Sequence, residues 1–156
     1  MRKKNFKIIG LILLSFLIDV VRPLDYNLLV NATFLMLIVL SFYNKLAPMI
    51  WIAFLAGFTQ DALIFPSRLF YAIEYPLIVL ATFSLNNILK FIKMRNHPLI
   101  SKAIIAALLI SIHSFLSILI ANANNFFFLI NFFVQSYLVF FLINYLIEKT
   151  FKKYES

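Results

Sequence analysis

The chain reads as six apolar runs separated by short polar breaks. A membrane-crossing helix needs about 20 mostly apolar residues, with a range of roughly 17–25, and six stretches are candidates: 7–24, 28–43, 46–65, 69–89, 99–121 and 126–147, the second being short unless its ends extend. Prolines and polar turns punctuate them. Pro23 follows the first run, Pro48 falls in the first turn of the third, Pro66 ends the third, and Pro98 opens the fifth. A proline in a first turn costs little, because its missing N–H would have no intrahelical partner. Asn122-Ala123-Asn124-Asn125 makes the last turn. Connections this short force neighbouring helices to run antiparallel. The expected fold is therefore all-α: a polytopic membrane protein folded as a single domain, a compact bundle of six transmembrane helices. No internal repeat is evident.

Composition agrees with the pattern. Of 156 residues, 63% are hydrophobic and only 13% are charged, whereas a soluble domain has about 25% charged residues. So much apolar surface cannot be hidden in one small core. A soluble enzyme, a disordered tail and a nucleic-acid module are excluded. Cysteine is absent, which removes disulfides and thiolate metal sites. The only glycines are Gly10 and Gly57, so there is no phosphate-cradling loop.

The net charge of +8 acquires a meaning once the basic residues are placed. With the N-terminus in the cytoplasm, the inner segments hold Arg2, Lys3, Lys4, Lys7, Lys45, Lys90, Lys93, Arg95, Lys102, Lys149, Lys152 and Lys153, and the outer ones only Arg22 and Arg68. Lys and Arg gather on the cytoplasmic side of membrane proteins, so both termini are expected to be cytoplasmic. The start resembles a signal peptide, but no small-x-small cleavage site follows Asp19-Val20-Val21-Arg22-Pro23, and the expectation is an uncleaved first span. The basic stretch 90–102 is expected to meet anionic lipid headgroups.

Ionisable groups at membrane depth are costly and mark candidate sites. Asp19, Asp61 and Glu74 qualify. Asp61 stands roughly 6 Å, four helical residues, from the outer end of the third run, with Gly57 one turn earlier on the same face. The pattern Gly57-x-x-x-Asp61 describes a close helix contact with a polar group beside it, where glycine lets a second backbone approach. Gln60 adds an amide nearby. The alternative is an acid hydrated at the interface. Asp19, Arg22, Arg68 and Glu74 form a candidate outer polar cluster, in which pairing of Asp61 with Arg68 or Arg22 would lower the cost of burial. Pro76 either kinks the fourth helix near Glu74 or starts it. His113 lies mid-span with Ser114 and Ser117. A proton relay would need acids at its depth, and the fifth helix has none, so a neutral histidine hydrogen-bonded between helices is expected. Asn131, Gln135 and Asn144 are expected to link helices similarly. No HExxH, GxSxG or multi-aspartate motif occurs. No catalysis, cofactor or metal is expected.

The stretch 24–91 resembles the rod shape-determining protein MreD family. The likeness runs through Pro23-Leu24-Asp25 and Asn44-Lys45-Leu46-Ala47-Pro48. It is strongest at Ala53-Phe54-Leu55-Ala56-Gly57-Phe58-Thr59-Gln60-Asp61-Ala62-Leu63, which looks like the family's aromatic-x-x-Gly-x-x-x-Asp helix. Where that family has a glycine-containing turn, this chain has Phe65-Pro66-Ser67-Arg68-Leu69. The resemblance implies a non-catalytic component of the bacterial cell-elongation machinery in the cytoplasmic membrane. It would bind an MreC-type shape protein and link to peptidoglycan synthases, with Gly57 and Asp61 as packing and polar-contact positions; membrane lipid as a partner, and no nucleic acid, are expected from composition and charge alone. Family membership also suggests likeness to substrate-binding subunits of energy-coupling-factor vitamin transporters. That is the alternative function, with Ala103, Ala106 and Ala107 as candidates for the small residues that would meet an energising partner.

Overall fold

The computed structural model describes residues 2–21, 31–64, 69–91, 98–121 and 126–152. These form six α-helices: α1 (Arg2–Val21), α2 (Ala32–Ser41), α3 (Leu46–Ile64), α4 (Tyr71–Phe91), α5 (Pro98–Ala121) and α6 (Phe126–Lys152). Three windows are long and apolar enough to cross a membrane: Leu46–Leu63, Tyr71–Phe91 and Pro98–Leu116.

Helix α2 is the axis of the bundle. Every residue from Thr33 to Ser41 is buried, and α1, α3, α4 and α6 all pack on it. A helix that is apolar all round belongs in an interior, and the sequence Thr-Phe-Leu-Met-Leu-Ile-Val-Leu is apolar on every face after its first residue. Its ten residues rise about 15 Å, roughly half the hydrocarbon thickness. The second apolar run, 28–43, therefore contains a shorter helix than its length suggests. Its last residues, Phe42 and Tyr43, form a turn, and 28–30 lie outside the described residues.

The other helices have polar groups inside and apolar ones outside. Leu13, Leu14 and Leu17 of α1, Trp51 and Leu55 of α3, Leu77 and Leu80 of α4 and Leu138 and Leu142 of α6 are exposed, whereas Gln60, Asp61, Glu74, His113, Ser136 and Asn144 are buried. Buried hydroxyls satisfy themselves locally. Ser41, Thr82 and Ser114 donate to the carbonyls of Leu37, Ile78 and Ile110, four residues back. Helix α4 is continuous from Tyr71 through Pro76, so this proline lies inside the helix and does not start it.

Several helices outrun the apolar runs. Helix α1 starts at Arg2 and α6 continues to Lys152. Charge ends a lipid-compatible span but does not end a helix, since Lys and Glu are good helix formers. The end of the bundle where α2 meets α3 is tied by Lys102 of α5, which donates to the Tyr43 hydroxyl at 2.8 Å with its ammonium over the ring, 4.4 Å from the centroid. Tyr43 in turn donates to Asn144 of α6 at 3.2 Å. Asn144 thus links elements as expected of its position. The side chain of Asn131, Ser117 and much of the stretch 90–102 lie outside what is described.

Candidate functional site

At the opposite end, where α1 and α3 finish and α2 and α4 begin, the polar residues converge. Each even helix must satisfy the amides of its first turn, which have no intrahelical acceptor. In α2 the task falls to Asn31 and Asp19. Asn31 is the N-cap, and its side chain accepts from Thr33 N and Phe34 N. Asp19, reaching across from α1, accepts from Ala32 N at 2.7 Å with one oxygen. Its other oxygen takes Thr33 N at 2.9 Å and the Thr33 hydroxyl at 2.7 Å.

In α4 the same task falls to Asp61 of α3. It accepts from Tyr71 N at 2.9 Å with one oxygen and from Ala72 N at 2.8 Å with the other. The next two amides, of Ile73 and Glu74, donate to the Phe70 carbonyl. A carboxylate at a helix N-terminus also meets the positive end of the helix dipole. Gly57 completes the grip. A Cβ there would overlap the Tyr71 carbonyl and lie 2.7 Å from Ala72 N. The 71–72 peptide therefore rests on the glycine while Asp61, one turn on, holds its N–H.

Between the two caps runs a chain of side chains. Asn31 donates from Nδ2 to the Tyr75 hydroxyl, which donates to Gln60 Oε1 at 2.6 Å. Tyr75 is fully buried and Gln60 nearly so. Tyr75→Phe should cost about 1–3 kcal/mol, the range for stranding buried polar partners. Thermal unfolding in detergent would measure this. Adding Gln60→Leu should recover part of the loss, because removing both partners is far cheaper than removing one.

Glu74 faces the other way. Its Oε1 lies 2.7 Å from His113 Nδ1 of α5, and the two side chains are only 7% and 4% exposed. The Phe34 ring of α2 lies against the imidazole, centroids 4.1 Å apart and 25° between planes. Asp19, Asp61 and Glu74 all lie close enough to Tyr75 to act on its hydroxyl electrostatically. The acids at 19, 61 and 74 are thus brought together around Tyr71 and Tyr75. Arg22 and Arg68, the other members of the expected cluster, lie outside the described residues. Asp61 is not hydrated at an interface. It is 2% exposed, and its partners among the described residues are backbone amides; the expected pairing with Arg68 or Arg22 falls outside the described residues.

Sequence reasoning missed two features. The acid for His113 comes from α4, not α5, so it was invisible to a search along one helix. The paired caps also left a trace: Leu37-Ile38-Val39-Leu40 follows the capped Ala32 by five residues, and Leu77-Ile78-Val79-Leu80 follows the capped Ala72 by five. The α1–α2 and α3–α4 hairpins thus share one device, an acid near the end of the first helix that caps the second.

Chemically the site accepts hydrogen bonds and organises helix ends. Among the described residues no cluster of His, Cys, Asp and Glu is arranged to hold a metal ion. No protein-family profile matches the chain, and no curated protein or solved structure is similar to it at a significant level.

Proposed function

We propose that this chain spans the bacterial cytoplasmic membrane six times, with both termini in the cytoplasm, and serves as a non-catalytic scaffold of the cell-elongation machinery. It binds an MreC-type shape protein and, through it, the peptidoglycan synthases. The observation that carries this reading is the α3–α4 hairpin. Gly57 and Asp61, the residues on which the resemblance to the MreD family turns, are the two that lock α4 onto α3. A scaffold needs a stiff face more than a pocket. Beyond the locked seam, α3 offers exposed Trp51, Leu55 and Phe58, an apolar face of the kind a partner's spanning helix packs against.

A second reading is a substrate-binding subunit of an energy-coupling-factor vitamin transporter. The meeting of three acids with Tyr71 and Tyr75 at one end favours it. The small residues it would offer an energising partner count against it: Ala106 is fully buried, and the Ala103 carbonyl takes the Tyr137 hydroxyl at 3.2 Å.

Depletion in the native bacterium separates the two. The scaffold reading expects rods to round up and an allele carrying Gly57→Leu to fail to restore them. Cells that keep their rod shape but lose vitamin uptake would overturn it in favour of the transporter. A C-terminal reporter that is active only outside the cell would overturn the orientation.

A further inference from the structure

Of the three buried acids, two use both carboxylate oxygens on amide donors. Asp19 and Asp61 each receive two backbone N–H groups. Glu74 is different. One oxygen meets His113 Nδ1, and the other, Oε2, is buried without a hydrogen-bond partner among the described residues.

A proton must lie in the 2.7 Å gap between Glu74 Oε1 and His113 Nδ1, since two bare acceptors would repel. Three arrangements supply it. With the proton on Nδ1 of a neutral imidazole, the pair carries a net negative charge beside Asp19 and Asp61. With a doubly protonated imidazole, the pair is neutral overall, yet Oε2 keeps its share of negative charge and no donor. With the proton on Oε1, donated to Nδ1, both groups are uncharged and Oε2 is an ordinary carbonyl oxygen. Burying a charged acceptor unpaired costs far more than burying a neutral one. The bidentate support that makes a buried ion pair tolerable is also missing here.

We infer that Glu74 and His113 form an uncharged hydrogen-bonded pair, a protonated carboxyl donating to the Nδ1 of a neutral imidazole, which joins α4 to α5. The surrounding groups among the described residues favour this state. Helix α1 brings Asp19 and α3 brings Asp61, both opposed to another negative charge. Helix α4 adds only the hydroxyls of Tyr71 and Tyr75. Helix α2 contributes Phe34 and the uncharged Asn31 and Thr33. Between Pro98 and Ala121, α5 has no ionisable residue near His113, its one other charged group being Lys102 at the far end. On α6 the ionisable residues before Glu148 are Tyr137, whose hydroxyl reaches Ala103, and Tyr145.

This inference rests on the geometry of the bundle and is independent of the scaffold reading.

Infrared spectroscopy of the full chain in lipid bilayers tests it. The expected result is a C=O stretch of a protonated carboxylic acid that shifts on labelling with 13C-glutamate and disappears in Glu74→Gln. A glutamate spectrum showing only ionised carboxylate would overturn it. The labelling needs no substitution, so the test survives if Glu74→Gln does not fold.

Discussion

Gly57→Leu will open the α3–α4 hairpin, and Gly57→Ala will weaken it by about 2 kcal/mol, while Gly10→Ala will leave the fold intact or slightly firmer. The contrast separates two effects of one substitution. Alanine is favoured over glycine inside a helix by about 1 kcal/mol, and that gain is available at both sites. At Gly10 nothing lies within 4 Å of a new Cβ, so the gain stands alone. At Gly57 the new carbon would overlap the carbonyl of Tyr71. That neighbour is backbone and cannot rotate away. Helix α4 would have to retreat, which lengthens both amide bonds to Asp61. Overpacking of this kind typically costs about 1–3 kcal/mol and exceeds the propensity gain. Unfolding in mixed detergent micelles would measure all three variants. A Gly57→Ala protein as stable as Gly10→Ala would show that the two helices are not seated on each other.

How much of this was legible beforehand depends on what each signal consists of. The six apolar runs locate the six helices because a long apolar stretch is a property of consecutive residues. Gly57-x-x-x-Asp61 is visible as a close contact for the same reason: the spacing lies within one helix. The identity of the contact was not legible. A buried carboxylate suggests an arginine, because charged partners have names in a sequence. Among the described residues its partners are the N–H groups of residues 71 and 72, and every residue but proline carries one of those.

Helix α2 teaches a related point. Apolar residues from 28 to 43 imply a full crossing, yet the helix starts at Ala32. The warning was present in Asn31-Ala32-Thr33-Phe34, where an asparagine stands at the N-cap position, a placement it strongly favours. Reading hydropathy alone passes over it. His113 and Glu74 are 39 residues apart, and only the antiparallel packing of α5 on α4 brings them to one depth.

Asp61→Ala will cost more than Asp19→Ala, although both acids cap a helix from a neighbouring one. In α2, loss of Asp19 leaves Asn31 still accepting from Thr33 N and Phe34 N, so Ala32 N is the one amide that loses its acceptor, while the Thr33 hydroxyl, which also loses Asp19, can rotate toward another. In α4 the residue before the helix is Phe70, which has no side-chain acceptor, so loss of Asp61 strands both Tyr71 N and Ala72 N. Interhelical hydrogen bonds within membranes average only about 0.6 kcal/mol, since separated helices find other partners. Two buried amides of a helix start have fewer substitutes, and removal of a cap costs up to about 2 kcal/mol. Asp61→Ala should approach that figure. Asp61→Asn should fall between, because its single carbonyl oxygen serves one amide and its NH2 group faces the other. Combining Asp61→Ala with Gly57→Ala should cost less than the sum of the two, because either change alone already lifts the same peptide from α3, and residues sharing one contact are not additive. Hydrogen exchange at the Tyr71 and Ala72 amides provides the local readout: fast in Asp61→Ala, unchanged in Asp19→Ala. Equal exchange at those amides in both variants, or strictly additive energies in the double variant, would mean that Gly57 and Asp61 do not act on one peptide.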